Sequence, residues 1–164
     1  MSTILLVDDE QDTLDLFTEV LEQMNHRVLK AHDGREALSI ALQTPLDLVV
    51  TDWMMPHMDG LELCHRLHED ERLQDIPIIL HSSTGNPHVP GAQFIPKDHP
   101  MEKFERLVSQ LLACGHAQRS AASPTHEGDR APPEHASRHT DRWSVIRSAL
   151  RSPGEDGALG GGLW

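Results

Sequence analysis

Ile4-Leu5-Leu6-Val7-Asp8-Asp9 begins the chain with a short apolar run that stops on two acids, and Leu48-Val49-Val50-Thr51-Asp52 repeats the device further on. Continuous apolar runs of this length, bounded by turn residues, read as strands buried on both faces, the kind found in parallel sheets. In open sheets of that kind ligands bind in the crevice beyond the carboxyl ends of the strands. Asp8, Asp9 and Asp52 would converge there and repel one another unless a proton or a cation intervenes. A hard divalent ion with oxygen ligands answers the repulsion, and Mg²⁺ brings phosphate chemistry with it. The pattern predicts a metal-assisted phosphoryl acceptor.

Working outward, residues 3–7 form the first strand, and Leu14, Phe17, Val20, Leu21 and Met24 recur at helical spacing over Asp12–Met24. Arg27–Ala31 reads as a second strand. Asp33 with Glu36 three residues on makes a capping-box-like start for a helix carrying Ala37, Leu38, Ile40, Ala41 and Leu42, closed by Pro45. Residues 47–51 are the third strand, and Asp59-Gly60 opens a helix with Leu61, Leu63, Cys64 and Leu67. Ile76–Leu80 and Gln93–Ile95 read as the fourth and fifth strands, and Met101–Ala113 as a last helix. Strands alternating with helices predict an α/β fold, a doubly wound parallel sheet. Five strands in about 115 residues suit the flavodoxin-like order 2-1-3-4-5. The alternation breaks at Ser82–Gly91, where Gly85, Pro87, Pro90 and Gly91 deny a regular helix.

The chain carries 14 basic and 26 acidic residues; residues 1–116 hold 8 of the former and 20 of the latter, whereas 117–164 is balanced. So acidic a body disfavours nucleic acid and suits a cation or a basic partner surface. Cys64 and Cys114 suggest neither a disulfide framework nor a zinc site, and no secretory signal or membrane-spanning run is visible, so a cytoplasmic protein is expected. His65 and His68 share a helix face but lack a third ligand at suitable spacing. Two regions are expected: a folded body over 1–116, and a mostly disordered tail over 117–164 with a short helix at 141–151 built on Trp143, Ile146 and Leu150.

The run Ile4–Glu10, the run Thr51–Gly60 and Lys97 after the fifth strand together resemble the receiver domain of two-component response regulators. The resemblance covers about residues 2–114, and its motifs are specific in combination and order rather than singly. It implies that Asp52 is the phospho-acceptor. Asp9 and Asp52, with the backbone carbonyl of Met54, would ligate Mg²⁺ directly, and Asp8 would hold the ion through water. It implies that Lys97 and Ser82 contact the phosphoryl group, and that Ser82 and Phe94 form the switch that responds to it. Its donors would be a sensor histidine kinase or a phosphotransfer protein. The module would signal through protein contact rather than act as an enzyme, with the downstream target unknown and homodimerisation open. Taken singly, Asp8 and Asp9 could also be helix caps and Lys97 a solvated lysine.

Two departures from the family stand out. Lys97 is followed by Asp98 where the family has proline, so a trans bond is expected there, with Lys97 less well aimed at Asp52. Ser82 and Lys97 lie 15 positions apart, short of the family by about two turns of helix, so the family's fourth helix should be missing or reduced. Met54 and Thr84, each two residues past a site residue, offer no group to position an attacking water, which predicts a long-lived phosphoprotein. Two functions follow: a phospho-accepting, stand-alone receiver without a DNA-binding output domain, or a degenerate receiver used as a phosphorylation-independent docking module.

Overall fold

A computed structural model describes residues 1–83 and 85–120, with side chains described as far as residue 115. Five strands, β1 (Thr3–Val7), β2 (Arg27–Ala31), β3 (Leu48–Thr51), β4 (Ile78–Ser82) and β5 (Ala92–Pro96), form one sheet. Four helices are described: α1 (Gln11–Gln23), α2 (Gly34–Gln43), α3 (Gly60–Glu69) and α4 (Met101–Ser120). The strands lie in the order β2-β1-β3-β4-β5 and every pair is parallel, the expected flavodoxin-like wrapping.

The apolar runs make this sheet because alternate residues feed opposite layers. Leu5, Val7, Val49, Ile78 and Leu80 join Ala37 and Ala41 of α2 and Leu63, Cys64 and Leu67 of α3 in one core. Ile4, Leu6 and Ile79 are buried on the other face, where α1 supplies Leu14, Phe17 and Leu21 and α4 supplies Phe104, Val108 and Leu111. Caps mark the helix ends as the sequence suggests. Asp33 accepts from the backbone N–H of Arg35 and Glu36, and Asp59 from that of Glu62. The Glu36 carboxylate reaches back to the N–H of His32 rather than to the cap residue, so the box is displaced by one position. Asn25, at φ 65°, ends α1 with Asn25 N–H on Glu22 and His26 N–H on Leu21, a Schellman turn.

β3 begins one residue later than expected and α1 is shifted by one residue toward the N-terminus, and three elements differ further. β4 runs Ile78–Ser82, two residues later than expected. Ile76 belongs to the preceding turn, and Pro77 has no N–H to give, although its carbonyl accepts from Val49 N–H. His81, just past the expected end of the strand, and Ser82, expected in the following loop, are its buried end. β5 gains a residue at each end, and α4 continues past Ala113 to Ser120 through the good helix formers Ala117, Gln118 and Arg119. The segment between β4 and β5 holds no helix among its described residues, as its prolines and glycines require. The expected helix at 141–151 lies outside the described residues. Among those described, no helix is long and apolar enough to cross a membrane.

Candidate functional site

The site is a consequence of strand register. Val7 pairs with Thr51, so the residues that follow, Asp8 and Asp52, leave adjacent strands side by side, and Asp52 N–H donates to the carbonyl of Val7. Asp9 completes the group: one carboxylate oxygen from each of Asp8, Asp9 and Asp52 lies within 4.8 Å of the other two. Asp8 and Asp52 are buried and Asp9 is exposed, so the cluster has a floor and an open rim. Neither Asp8 nor Asp9 caps α1. Glu10 holds the cap position, and Asp8 Oδ1 instead accepts from Glu10 N–H at 3.0 Å.

Lys97 enters from the end of the edge strand β5. Ser82 pairs with Pro96, and Lys97 N–H donates to the Ser82 carbonyl. From there Nζ lies 2.6 Å from Asp8 Oδ2 and 3.4 Å from Asp52 Oδ2. The described residues contain no cis peptide bond, so the Lys97–Asp98 bond is trans as expected. The ammonium still reaches the pocket, but its shorter contact is to Asp8 rather than Asp52.

Burial pushes the Asp8 carboxyl above its ordinary range, against the pull of the Lys97 hydrogen bond. Burial would lower the Lys97 ammonium, but the hydrogen bond to Asp8 and the charges of Asp8 and Asp52 outweigh it, so it is held above its usual range. One ammonium faces three carboxylates, and the excess negative charge in a half-enclosed oxygen cage fits a small hard dication. The donor set therefore suits Mg²⁺.

The remaining expected residues divide. Ser82 is buried at the end of β4, at the same edge of the sheet as the acids. Met54 lies just beyond Asp52 and is 60% exposed. Phe94 is half-buried opposite Leu80 and packs against the α2–α3 core.

Two features escaped the sequence reading. His81 is buried between Phe17 and Phe104, with ring centroids 4.5 Å and 5.6 Å away. Burial, aided by the Lys97 charge, drives its imidazole down to about 4. Its signal was the length of the strand, hidden because a histidine does not look like core. The second feature is space. A Cβ at Gly60 would lie 2.1 Å from the Asp52 carbonyl oxygen, and one at Gly34 would lie 2.7 Å from the Met58 carbonyl oxygen. Close approaches between distant segments leave no periodic trace in a sequence.

The family model for the response regulator receiver domain matches residues 4–95. The chain is 37% identical over 115 residues to the phosphate regulon transcriptional regulatory protein PhoB of Pseudomonas aeruginosa, covering 68% of this chain and 50% of that one. It is 38% identical over 85 residues to the DNA-binding dual master transcriptional regulator RpaA of Synechocystis, covering 52% and 35%. It thus spans half or less of the length of these two relatives. Among solved structures, response regulator TrrA of Thermotoga maritima, in complex with Mg²⁺-BeF, superposes with a TM-score of 0.63 at 28% identity, covering 68% of this chain and 99% of that one. The receiver domain of a signal transduction histidine kinase from Syntrophus aciditrophicus gives 0.64 at 28% identity, covering 80% and 99%.

Proposed function

This chain belongs to the response regulator receiver domain family, and we propose that it is a phospho-accepting receiver whose acceptor is Asp52. The observation that carries the reading is the convergence of Asp8, Asp9 and Asp52 with the Lys97 ammonium at one end of the sheet. Three carboxylates in one pocket serve no packing purpose and repel one another, which is worthwhile only where a cation is to be held.

Receiver domains bind Mg²⁺ at their acidic pocket, and TrrA carries Mg²⁺-BeF. Here Asp8, Asp9 and Asp52 would hold the ion, with the Met54 carbonyl as a further ligand. The ion would supply positive charge against the phosphoryl oxygens as negative charge builds on them. The chain's own part is nucleophilic. A carboxylate oxygen of Asp52 attacks the phosphorus of a phosphohistidine, the new O–P bond forms as the P–N bond to the imidazole breaks, and an acyl phosphate results. Lys97 offers its ammonium to the transferred group from the side of Asp52 that faces β5, and Ser82 its hydroxyl, with Phe94 following the hydroxyl as the switch. The donor is a sensor histidine kinase or a phosphotransfer protein, and the output is contact with another protein. The receiver takes in residues 1–116, which α4 overruns by four residues.

A second reading, a docking module that no longer needs phosphorylation, is favoured by the segment between β4 and β5, which holds no helix among its described residues. The two separate on treatment of the full chain with acetyl phosphate, with and without Mg²⁺, beside Asp52→Asn. A Mg²⁺-dependent acyl phosphate on the parent and none on the variant is the expected result. No phosphate on a folded parent would overturn the acceptor reading in favour of docking.

A further inference from the structure

The loop that follows Asp52 must hold still for the pocket to keep its shape, and the structure shows what holds it. Residues 53–59 turn back through His57, at φ 67°, with Met58 N–H on the Pro56 carbonyl. At its far end Gly60 N–H donates to the Trp53 carbonyl and Asp59 caps α3, tying the loop to its own helix. A second tie comes from elsewhere in the chain. Gly34, the first residue of α2, donates its N–H to the Met58 carbonyl at 3.1 Å.

Gly34 is not there for conformational freedom: it carries no positive φ, and Asp33 already caps the helix. What it provides is room. A Cβ on Gly34 would stand 2.6 Å from Met58 Cγ, 2.7 Å from Met58 O and 2.9 Å from Met58 Cβ. The side-chain carbon could swing away, but the carbonyl oxygen is backbone, and Met58 is buried. A methyl group there must push either α2 or the loop.

We propose that Gly34 is a positioning residue for the metal pocket: by letting α2 seat directly on Met58, it fixes the Asp52–Asp59 loop in the geometry that binds Mg²⁺. This rests on the phospho-acceptor reading. The loop is short and closed at both ends, so displacement at Met58 is passed back toward Met54 and Asp52. Mg²⁺ demands near-ideal octahedral geometry at about 2.0–2.1 Å and tolerates misplaced ligands poorly. A shift of tenths of an ångström therefore reaches affinity before it reaches folding.

The test is a Mg²⁺ titration of the full chain followed by the emission of Trp53, which adjoins Asp52, with Trp143 and Trp164 replaced by Phe. Gly34→Ala is compared with Ser39→Gly, which weakens the same helix at an exposed position away from Met58. Gly34→Ala should stay folded by circular dichroism and bind Mg²⁺ at least about threefold more weakly, while Ser39→Gly changes by less than that. Parent-like affinity in Gly34→Ala, or equal weakening in Ser39→Gly, overturns the inference. If Gly34→Ala does not fold alone, it is combined with Met58→Ala, which removes the Cγ contact and leaves the carbonyl contact; binding at least about threefold weaker than in Met58→Ala alone supports the inference, and equal affinity overturns it. A parent that binds no Mg²⁺ overturns the acceptor reading, and this inference with it.

Discussion

The chain leaves the carboxyl edge of the sheet after Asp52 and again after Ser82, and the two exits are built differently. After Asp52, the loop buries Met55 and Met58 and is bonded to α2 at one point and α3 at another. After Ser82, the described hydrogen bonds are local: His88 N–H on the Asn86 side chain, and Ala92 N–H on the Val89 carbonyl. Gly85, Asn86, His88 and Pro90 are all exposed. One exit is cross-linked to distant elements and sits where cation geometry matters. The other occupies the place where receivers carry a helix, and only Val89 of its apolar residues reaches the core. The difference is one of constraint: the first exit is held to fixed geometry by buried side chains and bonds to two helices, while the second is largely exposed among its described residues.

The largest expected effect breaks the first exit. In Gly60→Ala the added Cβ would meet the Asp52 carbonyl oxygen at 2.1 Å, a rigidly placed methyl against backbone, with no flexible side chain to yield. A loss of more than about 3 kcal/mol is expected, at the upper end of overpacking costs. Urea unfolding measures it, and a variant within 1 kcal/mol of the parent, on the order of an ordinary substitution, would mean the loop is far less constrained than its contacts imply.

Next comes the strand that feeds the second exit. His81 is held neutral between Phe17 and Phe104, its imidazole driven down to about 4 by burial and the Lys97 charge, while Asp52 pulls the other way. A depressed histidine stabilises the fold fully above its ordinary value near 6.5. That stability falls away as pH drops through the window from about 6.5 to about 4, because the unfolded chain takes up the proton first. The loss attributable to this one group is on the order of 3 kcal/mol at most. Measured between pH 7 and 4, the parent should lose more stability than His81→Leu, and the difference cancels the carboxylate titrations common to both. Parallel curves would show that His81 is not held as the packing indicates.

These two residues also mark where the sequence could be read. The strand order, the helix faces, the Asp33 and Asp59 caps and the acids at the strand ends all follow from periodicity and local chemistry, which a linear string records. Lys97 could be expected at the pocket, but not that its shorter contact is to Asp8, since that depends on the path taken by β5. His81 falls one residue past the expected end of the fourth strand, and nothing local announces the two aromatic rings that enclose it. Gly60 reads as turn chemistry; that it is pressed against the Asp52 carbonyl is a statement about three dimensions. Register and caps are legible, whereas clearances are not.

The smallest effect is the counterpart of the first. Gly85 lies in the second exit, a Cβ there would meet nothing within 4 Å among the described residues, and no positive φ is recorded for it. Gly85→Ala should therefore leave stability within about 0.5 kcal/mol of the parent, or raise it slightly by narrowing the unfolded ensemble. A near-zero result carries weight only beside Gly60→Ala, because the same methyl is added to the same residue type at the same edge of one sheet. If Gly85→Ala instead cost as much as Gly60→Ala, the second exit would have to be packed against something, and the openness argued for it would be gone. If it costs nothing, an added methyl is tolerated at Gly85 and not at Gly60, and the two exits differ in constraint as their contacts imply.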